Sequence, residues 1–215
     1  PGAEPDASPA MVPVNPDLLL REAAVALAAV AGVLLLSLAC DAPLGPPANP
    51  GLSPNPTKAP WYFAGVQELL VHFHPSFALL IAAALTCGAF GLPLIRYGDA
   101  PAGVWFASAN GRRTAIVAAL AAAILTPLAV VLDEYAVDLA AAMPGLPLAL
   151  SLGVVPTALL AAVVAGLYLL TVKQFRASRP EAVQAVVVFL VVGWVILTVT
   201  CAVFRGAGMR LRWPI

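Results

Sequence analysis

Five long apolar stretches, separated by polar or Pro-rich segments, constrain the fold more than any other feature of this sequence. The first, with 23 residues, would form a helix about 35 Å long, enough to cross a hydrocarbon core of roughly 30 Å. Helices suit a bilayer because they satisfy their backbone hydrogen bonds internally. We therefore predict an all-α, polytopic membrane protein with about five membrane-spanning helices, near residues 18–40, 76–95, 114–132, 148–172 and 182–204.

The composition supports a membrane location. The chain is 61% hydrophobic and only 10% charged, whereas soluble domains carry roughly 25% charged residues. Its 11 basic and 11 acidic residues balance, which gives no reason to expect a nucleic-acid partner. The cysteines Cys40, Cys87 and Cys201 have no metal-ligand spacing, so we predict buried small apolar side chains and no metal site.

The amino-terminal segment differs from the rest of the chain. Residues 1–17 are rich in Pro and lack a basic region followed by an apolar one, so we interpret them as a tail or linker and not as a secretory signal. Residues 18–215 then form the transmembrane domain.

The distribution of Lys and Arg predicts the orientation. The loops at 96–113 and 173–180 hold three basic residues each and should face the cytoplasm, which places the loop at 41–75 outside. The outer loops contain Lys58 and three acids that we interpret as a solvated loop, namely Asp133, Glu134 and Asp138. Three arginines of the carboxy-terminal tail depart from this pattern: Arg205, Arg210 and Arg212.

The outer loop carries the strongest local signal. Residues 46–56 are too rich in Pro, Gly and Asn to form a helix, whereas the residues from Gly65 to Leu70 have a helical pattern. Between them lies Pro60-Trp61-Tyr62-Phe63. Trp and Tyr combine an apolar body with one polar tip, so such a segment at a membrane edge suits an amphipathic ligand.

These motifs resemble the carboxy-terminal region of cytochrome b, called subunit IV where it is a separate chain. Ala48-Asn49-Pro50 followed by Ala59-Pro60-Trp61-Tyr62-Phe63 resembles the quinol-site loop of that family, which has Pro-Glu-Trp-Tyr at Ala59 to Tyr62. Other matches follow in the family's order: residues 16–22 at the start of the first helix, residues 103–106 before Arg112-Arg113, and Phe204-Arg205-Gly206 with Trp213-Pro214. The segments Phe204-Arg205-Gly206 and Trp213-Pro214 resemble an ending found in subunit-IV-like proteins of bacterial menaquinol-oxidising complexes. The family commonly has three or four helices here, so the fourth stretch is interpreted as an insertion.

The resemblance implies a function and a set of partners. It implies a non-haem-bearing subunit of a quinol–cytochrome c oxidoreductase in the bacterial cytoplasmic membrane, within a dimeric complex. One electron from quinol, with menaquinol favoured, would pass to a Rieske-type iron–sulfur protein and a c-type cytochrome, and the other to b haems. Two bis-His haems need four ligands, but this chain has only His72 and His74, at i and i+2. The haems are therefore expected on a partner of the cytochrome b amino-terminal type.

The resemblance also implies site residues. Tyr62 would position the quinol ring, with Pro60, Trp61 and Phe63 around it. Pro60 replaces the family's glutamate and cannot accept a proton. Glu68 is the best substitute, because an ionisable group in an apolar helix is costly and often functional. His72, four residues further on, could form a proton relay with Glu68.

Alternatives remain at several positions. Glu68 could instead cap a local network or face the aqueous edge, and Trp61 could be an interfacial anchor. Arg21 and Glu22 are either a salt-bridged pair or part of an inner quinone site. The whole chain could be a non-catalytic membrane anchor with a decayed quinol site. A transporter is less supported, because no inverted repeat is visible.

Overall fold

A computed structural model of the chain describes residues 16, 18–39, 47, 49–51, 55–91 and 105–213. Throughout these ranges the regular structure is helical, apart from one isolated antiparallel bridge between Arg205 and Leu211. The predicted all-α class is confirmed. The Pro-rich tail except residue 16, Cys40, Arg96 and most of residues 40–54 lie outside the described residues.

Seven α-helices make up the described part of the chain. They are α1 (Leu19–Ala39), α2 (Trp61–His72), α3 (Pro75–Gly91), α4 (Ala109–Tyr135), α5 (Leu139–Ala142), α6 (Val155–Lys173) and α7 (Arg179–Val199). A π-helical turn at Leu150–Val154 precedes α6, and another at Thr200–Phe204 extends α7. A short 3₁₀ turn at Ala207–Met209 follows.

Within the described residues, four helical segments are long and apolar enough to cross a membrane, which makes this a multi-pass membrane protein. They are Leu19–Ala39, Ala109–Tyr135, Leu150–Lys173 and Arg179–Phe204. The remaining predicted span, near 76–95, corresponds to α3, which has 17 residues in the described part and would be about 26 Å long. The residues that follow Gly91 lie outside the described ranges.

The chain divides into two compact units, Pro1–Gly51 and Leu52–Ile215. In the first unit, α1 has no buried residue. In the second, α4, α6 and α7 pack through small side chains: Ala118, Ala122 and Ala185 are fully buried beside Leu167 and Phe189. Small residues allow membrane helices to approach closely. A further cluster joins α2 and α3 through Leu69, Ala78 and Ile81.

One end of this bundle is fixed by helix caps. Ser108 caps α4, accepting a hydrogen bond from Gly111, and Ser178 caps α7 in a capping box with Glu181. Glu181 also accepts a hydrogen bond from the backbone of Ser108 at 2.8 Å, which ties the two helix starts together. Since α4 and α7 start side by side and pack along their length, their far ends also meet. There, Glu134 of α4 contacts Arg205 and Leu211, which follow α7, and Asp133 contacts His72 of α2.

Candidate functional site

The loop before α2 is folded back onto that helix by Gln67. The Gln67 side chain accepts a hydrogen bond from the backbone of Ala59 at 2.6 Å and donates one to the carbonyl of Thr57 at 2.7 Å. The ammonium of Lys58 donates to the carbonyl of Ala202 at 2.9 Å. Residues 57–60 therefore have a fixed position against α2 and the end of α7.

Of the predicted quinol-binding residues, Pro60 is the N-cap residue of α2, and Trp61, Tyr62 and Phe63 form its first turn. Trp61, Tyr62 and Phe63 are 75%, 58% and 57% exposed. The rings of Trp61 and Tyr62 lie 5.8 Å apart in an edge-to-face arrangement, and those of Tyr62 and Phe63 lie 5.1 Å apart. These three side chains form an exposed surface, called here the aromatic turn.

Glu68 lies on a different face of α2 from Tyr62. Six residues of helix correspond to a rotation of about 240°. The Glu68 carboxylate is completely buried and is held by Arg205. Arg205 donates from Nε to both carboxylate oxygens, at 3.1 and 3.0 Å, and from Nη2 to Oε1 at 2.7 Å. Bidentate pairing of this kind is among the strongest ionic contacts in proteins.

His72 connects Glu68 to Asp133. Its Nε2 lies 3.1 Å from Glu68 Oε1, and its Nδ1 lies 2.6 Å from Asp133 Oδ2. Arg205 Nη2 also lies 3.0 Å from His72 Nε2. Two protonation states fit these contacts: a cationic ring that donates to both carboxylates, or a neutral ring that donates to Asp133 and accepts from Arg205. Either state engages both ring nitrogens, so His72 has no free nitrogen for an iron atom.

Arg205 also organises the carboxy-terminal turn. Its Nη1 donates to Glu134 Oε2 at 2.6 Å and to the carbonyl of Met209 at 2.8 Å. The backbone of Leu211 donates to Glu134 Oε1 at 3.2 Å, and the backbone of Gly208 donates to Asn55 Oδ1 at 2.6 Å. The five side chains joined in this way are called the charge cluster: Glu68, His72, Asp133, Glu134 and Arg205.

The formal charges of the charge cluster favour a protonated His72. Three carboxylates and one guanidinium sum to −2, and a proton on His72 reduces this to −1. Burial alone would lower the pKa of His72, but its hydrogen bonds to Asp133 and Glu68 and their negative charges raise it above its ordinary value. Burial would likewise raise the pKa of Glu68, but hydrogen bonds from His72 and Arg205 lower it.

The charge cluster opens to its surroundings at Asp133. The side chain of Asp133 is 33% exposed, whereas that of Glu134 is 18% exposed and those of Glu68 and Arg205 are fully buried. A cleft of about 370 Å³ lies beside Asp133 and is bounded by residues 133–139 and Leu152. The cluster therefore runs from an enclosed carboxylate to one that faces an open acidic cleft.

Other predicted residues lie apart from the charge cluster. Arg21 and Glu22 are exposed in the first turn of α1, and among the described residues no ion pair joins them. His74 lies in the turn between α2 and α3, where its backbone donates to Leu152. Cys201 is buried as predicted, but Cys87 is exposed on α3 in this chain, so that part of the cysteine prediction is wrong. Across the described ranges, no group of three or more metal-ligating side chains could hold a metal ion.

The sequence interpretation missed three members of the charge cluster. Asp133 and Glu134 do not lie in a solvated loop, as predicted, but in the last turn of α4, which continues to Tyr135. A prediction from hydropathy ends the span at its first charged residue, although the helical backbone continues beyond that residue. A signal for Arg205 was present, since this arginine departs from the distribution of basic residues on which the predicted orientation rests. Buried acids that neutralise it account for this exception.

Comparisons of the chain with protein-family models, with curated proteins and with solved structures found no match in any of the three. The resemblance to the cytochrome b carboxy-terminal region therefore rests on the sequence motifs alone.

Proposed function

We propose that the chain is a membrane subunit of a cytochrome bc-type complex and contributes its outer quinol-oxidation pocket. Electrons pass from quinol, with menaquinol favoured, to an iron–sulfur and cytochrome c partner and to b haems on a neighbouring chain. Oxidation is coupled to proton translocation across a bacterial cytoplasmic membrane. The supporting observation is that one 12-residue helix, α2, carries both the aromatic turn and the buried Glu68–His72 pair.

The aromatic turn suits the ring of a quinol. Its three exposed rings offer edge and face contacts to another aromatic ring, and the hydroxyl of Tyr62 adds a polar contact. Exposed Trp and Tyr side chains in a membrane protein can also face lipid at the interface; we instead assign this surface to a ligand. In the proposal, the haem-bearing partner forms the opposite wall of the pocket.

The Glu68–His72 pair supplies a destination for a proton. Quinol oxidation releases two protons and two electrons, and a site sealed from bulk water needs a positioned group to accept each proton. His72, whose pKa is raised, holds a proton better than Glu68, whose pKa is lowered. Because Tyr62 and Glu68 lie on different faces of α2, a water molecule or a shift of the Glu68 carboxyl must bridge the gap to the substrate.

A second candidate is a non-catalytic membrane anchor in another respiratory or photosynthetic assembly. Two observations favour it. Pro60 occupies the position where the resembled family has its acid, and Glu68 is enclosed in a bidentate bridge to Arg205 that has the geometry of a structural ion pair. In this case the charge cluster holds the carboxy-terminal turn against α2 and transfers no proton.

Quinol-dependent cytochrome c reduction by the complex that contains this chain separates the two candidates. Trp61→Leu removes a ring of the aromatic turn, and Trp105→Leu removes an exposed tryptophan that precedes α4 and serves as the matched control. We expect a loss in kcat/KM of about tenfold for Trp61→Leu alone, the size of an aromatic contact. Equal activities would favour the anchor, and a wild-type complex that does not oxidise quinol would contradict the proposal.

A further inference from the structure

The charge cluster has the layout of a proton path with a defined direction. Glu68 is enclosed at one end, and Asp133 borders an open cleft at the other. His72 stands between them, with one ring nitrogen within hydrogen-bond distance of each carboxylate. An imidazole placed in this way can take a proton at one nitrogen and release one from the other.

We propose that Asp133 is the proton-release group of this chain, and that protons travel from Glu68 through the His72 imidazole to Asp133 and leave by the acidic cleft. This inference rests on the proposed quinol site, which would supply the protons. It assigns to Asp133 a role that the chain's sequence did not indicate. Glu68 receives the proton, His72 transfers it and Asp133 delivers it to water.

The proton count balances over one passage. The imidazolium that the charges of the cluster favour can accept a proton only after it has released one, so the passage starts from the neutral ring, which donates from Nδ1 to Asp133 and accepts at Nε2 from Arg205. A proton that arrives on Glu68 Oε1 moves to His72 Nε2, across 3.1 Å, and forms the imidazolium. The Nδ1 proton then moves to Asp133 Oδ2, across 2.6 Å, and from there to water in the cleft. One proton has entered at Glu68 and one has left, which leaves the ring protonated at Nε2; rotation of the ring then turns the Nε2–H toward Asp133 and the free Nδ1 toward Glu68, ready for the next proton.

The neighbouring carboxylates are less suited to this role. Glu134 accepts hydrogen bonds from Arg205 and from the backbone of Leu211, with no bond to His72 among the described contacts. Asp138 borders the same cleft, but its Oδ1 caps α5 by accepting from Ala141. Among the described acids that border the cleft, Asp133 alone also contacts His72. Arg205 is a positioning residue, because it holds Glu68 Oε1 toward His72.

The test uses the assembled complex and compares Asp133→Asn with Asp138→Asn. Both variants remove one negative charge from the same cleft, and Asn at 138 retains helix-capping ability. Because positioned proton transfer contributes about 10²- to 10⁴-fold to rate, we expect quinol turnover to fall at least about tenfold in Asp133→Asn and to change less than about twofold in Asp138→Asn. Added formate, a small acid that can enter the open cleft, should restore much of the loss. Purely structural damage would not respond to formate.

Each outcome decides between the alternatives. If the wild-type complex oxidises quinol and the two variants have equal turnover, the proton path is contradicted and the proposed quinol site is not. A loss in Asp133→Asn that formate does not restore also overturns the proton path. If Asp133→Asn does not assemble, Asp133→Glu keeps the carboxyl and should remain active; an assembled but inactive Asp133→Glu complex contradicts the path. A wild-type complex that does not oxidise quinol overturns the proposed function, and the path with it.

Discussion

Arg205 binds both carboxylate oxygens of Glu68 although 137 residues separate the two in sequence. Neither side chain is exposed, so each charge depends on the other for compensation. Through this pair, the turn that follows α7 is attached to the middle of α2. The position of the aromatic turn therefore depends on a residue close to the carboxy-terminal end of the chain.

Removal of Arg205 should destabilise the protein strongly. Arg205→Ala leaves Glu68 and Glu134 without their shared cation, and breaking a buried pair in this way costs about 3–5 kcal/mol of unfolding free energy. Arg210→Ala is the matched control, because Arg210 is exposed in the same segment. Thermal or denaturant unfolding of the purified protein in detergent measures the difference. Equal stabilities would show that the Arg205 contacts contribute nothing.

A double substitution should recover stability that single substitutions lose. Glu68→Leu leaves Arg205 buried beside a new apolar group, and Arg205→Leu leaves Glu68 in the same condition. Replacing both with Leu removes both charges, and buried pairs replaced by apolar groups are often neutral in stability. We expect a coupling free energy of about 2–3 kcal/mol from the double-mutant cycle. Additive losses would contradict a direct ionic contact.

Stability should depend on pH through His72 and Glu68. The folded pKa of His72 is raised above 6.5, so its contribution is complete below that pH and is lost as the pH rises through the folded value. The folded pKa of Glu68 is lowered below 4.5, so its contribution is present above that pH and is lost as the pH falls. We therefore expect the highest thermal midpoint at mildly acidic pH. His72→Gln should remove the loss of stability on the alkaline side. His74→Gln, which leaves the charge cluster intact, is the control and should keep that loss. A wild-type pH profile in His72→Gln would contradict the assignment.

Close packing of α2 on α7 should require Gly65. A Cβ atom at this position would lie 2.8 Å from the Trp194 ring and 2.9 Å from Thr198 Oγ1. We expect Gly65→Ala to lower the unfolding free energy by about 1–3 kcal/mol, as overpacking does. Gly88→Ala, on α3 where a Cβ would meet open space, should be neutral or slightly stabilising because Ala favours helix. Similar unfolding midpoints for the two variants in detergent would indicate that α2 does not pack in this way.

The sequence allowed the helical class and most span positions to be predicted, because apolar stretches of bilayer length leave few alternatives. It also indicated that Glu68 and His72 are neighbours, since residues four apart in a helix share a face. In the structure, His72 Nε2 lies 3.1 Å from Glu68 Oε1. Arg205 could not be assigned in the same way, because its contact with Glu68 is tertiary and leaves no local spacing. Asp133 was misplaced because hydropathy does not reveal that α4 continues through its charged residues.

The proposed quinol site is tested most directly by labelling the assembled complex with a photoreactive quinone analogue and mapping the modified residues. We expect modification within residues 59–68 of this chain, and loss of that modification when excess quinol competes. Modification confined to partner chains, or modification here that excess quinol does not reduce, would contradict it.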